Sequence, residues 1–174
     1  MASIQVQKGA CSSETGIQME YGTRATMSNK TPSSLMKLDR CINWFGNPST
    51  IEYPDNIPQN ASSRFLHVKD SESGSMGAVQ YSGPNAAGDP CAWILAWKAP
   101  IDNTTPESPN RVYATCGSKE SMDLINWDEI RLNLEKALTT CEAEDSGSKT
   151  RVDAKIVDPV PNSAIVNANF GFMI

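Results

Sequence analysis

The chain lacks most of the features that mark a reactive or a membrane-spanning protein. No apolar run approaches the roughly 20 residues that a helix needs to cross a bilayer. The 174 residues include one histidine, no closely spaced pair of cysteines and no glycine-rich loop that ends in Gly-Lys-Ser or Gly-Lys-Thr. These absences argue against a metal site and a phosphate-binding loop. We therefore expect no catalytic residue, no bound metal and no cofactor.

Basic residues are also scarce. The chain has 15 lysines and arginines against 20 aspartates and glutamates, which gives a net charge of −5. The basic side chains are scattered singly, whereas nucleic-acid binding needs a basic stripe or patch, so we expect no nucleic-acid partner. The acidity also weakens attraction to anionic lipids. A zwitterionic lipid head group or a glycan remains open as a partner.

The cysteines do not form a disulfide pattern. Five are present at intervals of 25 to 50 residues, and an odd number cannot pair completely. The first stretch, MASIQVQKGACSSETG, alternates apolar and polar residues and lacks the apolar centre of a signal peptide. We therefore expect a cytoplasmic location and reduced thiols, most of them packed as small apolar groups.

The segment Arg64–Pro100 is the most informative part of the sequence, because it contains three apolar strand patterns separated by polar loops. Side chains alternate across a strand, so the last of these strands has two apolar faces. One face carries Cys91, Trp93, Leu95 and Trp97, and the other carries Ala92, Ile94 and Ala96. The strand is either buried on both sides or exposes an apolar patch.

Strand patterns recur every 10 to 15 residues, and we find one helical pattern, so the chain is predicted to be mainly β. The expected architecture is a single domain over 1–174, an antiparallel β-sandwich with one packed α-helix near 119–139. Ser118 or Ser121 is expected to cap the helix. Glu142–Ser148 is predicted to be a solvated loop. The predicted strands lie near Ile4–Val6, Ile17–Tyr21, Ala25–Ser28, Leu35–Phe45, Phe65–Val68, Ser75–Tyr81, Ala92–Lys98, Val112–Cys116, Arg151–Val157 and Ala164–Ile174.

Candidate reactive groups are few. His67 lies in a predicted strand, and no serine or cysteine close to it in sequence forms a base–nucleophile arrangement, so we interpret it as a structural or surface histidine. The tryptophans leave two interpretations open. Trp93, Trp97 and Trp127 are either core residues or a partly exposed cluster that binds a quaternary ammonium group or stacks on a sugar ring.

Five sequence blocks follow one another along the chain, namely FLHVK at 65–69, GSMGAVQYSG at 74–83, CAWILAWKAP at 91–100, NRVYATCGS at 110–118 and NWDEI at 126–130. Taken in this order, they resemble the small plant jasmonate-induced proteins, which include salt- and jasmonate-responsive homologues. The same order resembles, more remotely, the actinoporin-like β-sandwich that sea-anemone cytolysins share with the fungal lipid-binding protein nakanori. The resemblance implies a stress- or defence-related role on that fold.

The resemblance also implies candidate binding residues. Actinoporins hold phosphocholine with a serine and a proline that follow the apolar strand and with a tyrosine cluster on the helix. In this sequence Pro100 matches the proline and Lys98 takes the place of the serine. Trp127 stands for one tyrosine, and Arg131 and Leu132 occupy the next two aromatic positions.

Together these observations predict a non-enzymatic binding protein that recognises a sphingolipid head group or a glycan. The predicted ligand-binding residues are Trp97, Lys98, Pro100, Trp127 and Arg131. Peripheral contact with a membrane and homo-oligomer formation remain open. Residues 1–30 alternate as strands do, so we do not expect the detachable amphipathic helix that pore formation needs. The alternative is a protein-interaction or storage-like structural protein that binds no small ligand.

Overall fold

The structure is a computed structural model that describes residues 21–32, 34–102, 105–157 and 163–174. Within these ranges the chain forms two stacked sheets and two short helices. The six-stranded sheet has the order β3-β5-β1-β11-β10-β9, and the five-stranded sheet has the order β4-β2-β6-β7-β8. The elements are β1 (Gly22–Asn29), β2 (Met36–Phe45), β3 (Asn47–Pro48), β4 (Asn56–Ile57), β5 (Ser62–Val68), β6 (Ser75–Pro84), β7 (Pro90–Ala99), β8 (Arg111–Ser118), α1 (Lys119–Leu124), α2 (Trp127–Lys136), β9 (Thr140–Asp145), β10 (Thr150–Ile156) and β11 (Ala164–Phe172).

The predicted β-sandwich is confirmed. Every strand predicted between Ala25 and Ile174 is present, with ends that differ by a few residues. The strands predicted near Ile4 and Val6 and near Ile17 and Met19 lie outside the described residues. Pairing is antiparallel except between β1 and β11, which run parallel.

Strand β7 is buried on both faces, as its two apolar faces indicated. Both tryptophans point between the two sheets, together with Cys91 and Leu95, and the other face, which carries Ala92, Ile94 and Ala96, points towards the helices. All seven residues from Cys91 to Trp97 have no measurable exposure. The strand therefore separates two apolar cores, one inside the sandwich and one under the helices.

The helical segment lies where the sequence placed it, and it is divided in two. The hydroxyl of Ser118 accepts from the backbone N–H of Ser121 and caps α1, while the side chain of Asn126 accepts from the N–H of Glu129 and caps α2. Ile125, between them, has an extended backbone. In the part of the chain that the structure describes, no helix is long and apolar enough to cross a membrane.

Two sequence expectations are wrong in detail. The segment predicted as a solvated loop, Glu142–Ser148, contains most of β9, an edge strand paired with β10. The helix predicted to run to about residue 139 ends sooner, because α2 ends at Lys136 and Leu138 is 71% exposed. In β9 only the small residues Cys141 and Ala143 face the core, so its acidic side chains hid the strand pattern.

Candidate functional site

Half-buried aromatic rings gather on the outer face of the five-stranded sheet, beside the helices. Trp44 and Phe45 come from the end of β2, and Trp127 begins α2. All three pack against the small core under the helices while part of each ring stays accessible. We call these three rings, together with Arg40 and Arg131, the aromatic patch.

A β-bulge brings two neighbouring aromatic residues to the same face. The pairing of β2 with β6 shifts between Asn43 and Phe45, so that Phe45 lies opposite Met76. Strict alternation would point Trp44 and Phe45 to opposite faces of the sheet, but the extra residue in the bulge turns both towards the helices. The chain then turns at Gly46, where φ is 82° and an added Cβ would lie 2.2 Å from the carbonyl oxygen of Val68.

Arg40 holds one side of the patch in place. Its guanidinium carbon lies 4.5 Å from the centre of the Trp127 ring. Its Nε donates to Gln80 Oε1 at 2.9 Å, and its Nη2 donates to the carbonyl oxygens of Met122 and Ile125 at 2.8 and 2.9 Å. These carbonyls lie where the two helices meet, so Arg40 fixes that junction and has few donors left for a ligand.

A polar network continues from Arg40 along the sheet. The Gln80 amide donates to Asp123 Oδ1 at 2.7 Å, and Lys119 Nζ reaches Asp123 Oδ2 at 2.8 Å and Asp39 Oδ2 at 3.1 Å. The hydrogen bond from Lys119 lowers the pKa of the Asp123 carboxyl below its ordinary value, and the same bond raises the pKa of Lys119. All charges in this network are therefore paired, and the network supports the fold.

Arg131 differs from Arg40 in its available donors. Its guanidinium carbon lies 5.4 Å from the centre of the Phe45 ring, within cation–π range. It donates no hydrogen bond to any residue that the structure describes. Trp127, Arg131 and Glu135 follow at intervals of four residues and share one face of α2. Glu135 pairs with Lys98 of β7, which leaves Lys98 at the border of the patch.

Exposed leucines occur on the same helical segment. Leu124, at the end of α1, is 81% exposed, and Leu132 of α2 is 62% exposed. Neither side chain is buried by the fold, so both are accessible from solvent. The helical side of the sandwich therefore combines accessible rings, accessible leucines and one arginine with unused donors.

Two of the residues predicted to bind ligand lie in the core instead. Trp97 has no exposed surface, and its ring packs against Phe65 and His67 at centroid distances of 4.8 and 5.2 Å. The reason is strand parity: Trp97 faces the interior of the sandwich, opposite to Lys98. Pro100 is buried just beyond β7, beside the turn at Gly74. Neither ring offers a face to a ligand, so the structure brings together only Trp127, Arg131 and, at the border, Lys98.

The single histidine has a serine neighbour that the sequence did not show. His67 Nδ1 and the Ser75 hydroxyl share a hydrogen bond of 2.8 Å, and Trp97 Nε1 donates to the same oxygen at 3.3 Å. His67 and Ser75 are both fully buried, so no substrate reaches them. Burial lowers the pKa of the imidazole to about 4. This pair supports the structural interpretation of His67.

Other reactive groups are dispersed. Within the described ranges, no group of three or more His, Cys, Asp or Glu side chains is arranged to hold a metal ion. Four cysteines lie in the described part of the chain, and their thiols are free. Cys91 and Cys116 are buried as small apolar groups, as expected, whereas Cys41 is exposed. Burial raises the pKa of the Cys116 thiol, which keeps it protonated.

Sequence reasoning missed three members of the aromatic patch, namely Arg40, Trp44 and Phe45. The adjacent aromatic pair before Gly46 was a usable signal, because regular alternation along a strand places at least one of two successive rings on the outer face of the sheet. The approach of Arg40 to α2 had no such signal, since it depends on packing between residues that are far apart in sequence.

Similar proteins are known. A jasmonate-induced protein homologue from Atriplex canescens is 39% identical over 155 residues, which cover 89% of this chain and 82% of that protein. The crystal structure of the lipid-binding protein nakanori matches with a TM-score of 0.71 at 12% identity, covering 87% of this chain and 71% of that one. The Xerocomus chrysenteron lectin matches with a TM-score of 0.49 at 14% identity, covering 87% of this chain and 99% of its own. No protein-family model matches the chain. None of these three proteins is named as an enzyme, and the nakanori match confirms the fold that the sequence blocks indicated.

Proposed function

The chain belongs to the jasmonate-induced protein family, and on that premise we propose that it is a non-enzymatic, stress-related protein that binds a zwitterionic lipid head group at the aromatic patch. The phosphate of the head group takes the free donors of Arg131. The rings of Trp44 and Trp127 lie at the level of the membrane interface. Contact is peripheral, and pore formation is not part of the proposal.

Arg131 is the observation that carries this proposal. A guanidinium held over an aromatic ring is fixed in orientation, and its planar fork matches the geometry of a phosphate. Arg131 is half-buried over Phe45 and has donors that no described residue uses. A phosphate oxygen bound there forms charge-assisted hydrogen bonds in a partly desolvated position, where such bonds are stronger than in water.

The surroundings of Arg131 favour a lipid surface over a free phosphate. Tryptophan is enriched at membrane interfaces because its ring is apolar and its indole N–H is polar. Leu124 and Leu132 are exposed on the same helical segment and can enter the apolar boundary of a bilayer. The net charge of −5 disfavours strongly anionic membranes, so zwitterionic lipids suit the chain better. The name of nakanori, a lipid-binding protein of the same fold, supports this ligand class.

Vesicle flotation tests the proposal. Vesicles of phosphatidylcholine and sphingomyelin are expected to carry the wild-type protein to the top of the gradient. Replacing Arg131→Gln removes the phosphate contact, and because hydrogen bonds to a charged group contribute about 1.5–3 kcal/mol, binding is expected to weaken at least about tenfold. The matched control is Arg64→Gln, an arginine on the outer face of the other sheet, which is expected to bind as the wild type does.

Three outcomes contradict the proposal. They are the absence of vesicle binding by the wild type, equal binding by Arg131→Gln, and an equal loss in Arg64→Gln. If vesicles do not bind while light scattering shows stable homo-oligomers, the protein-interaction or storage-like alternative is favoured. Circular dichroism of both variants checks that the fold is kept.

A further inference from the structure

A second groove lies on the opposite side of the molecule, on the outer face of the six-stranded sheet. It encloses about 800 Å³ where β10 and β11 meet the segment that follows β1. Gly171 of β11 forms its floor, opposite Arg151 of β10. The aromatic patch lies on the other sheet, so this groove is a separate feature.

The floor of the groove is open because residue 171 is a glycine. An added Cβ at Gly171 would lie 3.5 Å from the Cβ of Lys30, in the space between two basic side chains. Lys30 borders the groove on the β1 side, and Arg151 borders it on the β10 side. Both side chains are exposed. Arg151 is only loosely paired, with Glu144 at 3.7 Å and Glu142 at 4.0 Å, and therefore remains able to donate to a ligand.

Acceptors and donors lie side by side at one end of the groove. Asn169 Nδ2 donates to Asp153 Oδ2 at 2.8 Å across the β10–β11 pair. This bond orients both side chains. The Asn169 carbonyl oxygen and the second Asp153 oxygen are thereby held in place as acceptors. The carboxylate also offsets the charge of Lys30 and Arg151, so the groove is less suited to a free anion than its two cations alone would suggest.

The opposite wall is apolar. Pro32, Met173 and Ile174 line it, while Phe172, at the end of β11, turns its ring into the sandwich, 6.1 Å from that of Trp93. A ligand with many hydroxyl groups and an apolar C–H face matches this combination of fixed acceptors, mobile donors and an apolar wall. The volume is within the range of small-molecule sites. We propose that this groove is a saccharide-binding site, with Asp153, Asn169 and Arg151 bonding the hydroxyl groups and Pro32 and Met173 contacting the C–H face of the ring.

The test uses soluble sugars, so it is independent of vesicle binding. An array of neutral and acidic oligosaccharides is first incubated with the wild-type protein. Titration calorimetry then follows with galactose, mannose, N-acetylglucosamine, glucuronic acid and sodium sulfate. The expected result is retention on the array and saturable binding of at least one neutral sugar.

Two variants locate the site. Gly171→Val suits a strand and fills the floor of the groove, and Arg151→Gln removes a donor from an exposed position. Each is expected to weaken sugar binding at least fivefold. Thr26→Val is the matched control, because Thr26 lies in β1, on the outer face of the same sheet but outside the groove. It is expected to bind as the wild type does. Arg151→Gln keeps the test informative if Gly171→Val fails to fold.

The proposal is overturned if no sugar binds, or if neither folded groove variant changes the affinity. It is also overturned if sulfate binds as tightly as the best sugar, because the site is then a general anion site. Loss of sugar binding in Thr26→Val also overturns it. If Gly171→Val still binds vesicles, the lipid proposal does not depend on this groove.

Discussion

His67 shows at the scale of a single residue how burial restricts charge. The imidazole is fully buried between the rings of Tyr53 and Trp97, and its Nε2 has no hydrogen-bond partner among the described residues. Desolvation by burial lowers its pKa from 6.5 to about 4. The folded protein therefore holds a neutral histidine over a pH range in which the unfolded chain holds a charged one.

This difference predicts a loss of stability in mild acid. Between pH 6.5 and pH 4 the unfolded chain binds a proton that the folded protein does not, so the free energy of unfolding falls as the pH falls. From pH 7 to pH 4.5 the loss is expected to be about 2 kcal/mol. Urea denaturation at several pH values measures it. His67→Gln, which cannot titrate, should show a flatter profile, and identical profiles would contradict the prediction.

Asn29 gives a second prediction at this scale, because its side-chain amide is buried and both its nitrogen and its oxygen are hydrogen-bonded. Nδ2 donates to the carbonyl oxygens of Ser34 and Ile57 at 2.7 and 2.9 Å, and Oδ1 accepts from Thr31. Asn29→Asp places a carboxylate against two carbonyl oxygens, so unfolding should become easier by about 3 kcal/mol.

The matched control is the same change at an exposed asparagine. Asn60 lies in a turn with a φ of 52°, a conformation that aspartate tolerates. Asn60→Asp should alter the free energy of unfolding by less than about 0.5 kcal/mol. Chemical denaturation of both variants makes the comparison, and similar losses at the two positions would contradict the role assigned to Asn29.

At the scale of the elements, the junction of the two helices depends on one side chain from a strand. Arg40 Nη2 donates to two carbonyl oxygens there while its plane lies near the Trp127 ring. Arg40→Lys keeps the charge but cannot reproduce this fork, so it should destabilise the protein by about 1–3 kcal/mol and expose Trp127 further.

Denaturation and acrylamide quenching of tryptophan fluorescence measure these two effects of Arg40→Lys. The control is Arg64→Lys, which alters an exposed arginine of β5 and should leave both measurements unchanged. Unchanged quenching in Arg40→Lys would show that the helix junction does not depend on the guanidinium group.

The elements that the sequence revealed are those with a strong apolar period. β7 was predicted from seven successive apolar residues, all of which are buried in the structure. α2 was predicted from the helical spacing of Ile130 and Leu134, which are buried as well. β9 was missed because only its two small inward residues are apolar. The break at Ile125 was missed because an apolar residue fits a helix pattern, and its extended backbone is set by Asn126 and Arg40.

The candidate site was partly predictable for the same reason. The family resemblance named Trp127 and Arg131 together, but strand parity alone does not say which face of β7 is the outer one. Both faces are apolar, so Trp97 could be assigned to a surface only by knowing where the helices pack. The contribution of β2 to the patch depends on a bulge and on contacts between distant segments, which a periodic pattern does not contain.

At the scale of the whole molecule, the first and last described strands lie side by side. β1 pairs in parallel with β11, with Thr23 opposite Ala164 and Asn29 opposite Phe170. Such a pairing needs a long connection, which here is the entire intervening sandwich. No local pattern predicts this pairing, because the two strands are more than a hundred residues apart in the sequence. Each strand also shows the apolar–polar alternation that is usual in antiparallel sheets.

The doubly buried β7 has a consequence for how this fold keeps its register. In most strands a slip by one residue moves polar groups into the core, and that change of polarity prevents the slip. In β7 a slip by one residue would exchange one set of apolar side chains for another, so a change of polarity does not prevent the slip. The distinction rests on side-chain volume, since two indoles would be forced into the shallow space above Ala78, and the two alanines Ala92 and Ala96 would leave voids beside Phe65. In β7, therefore, the size of the side chains and not their polarity fixes the register.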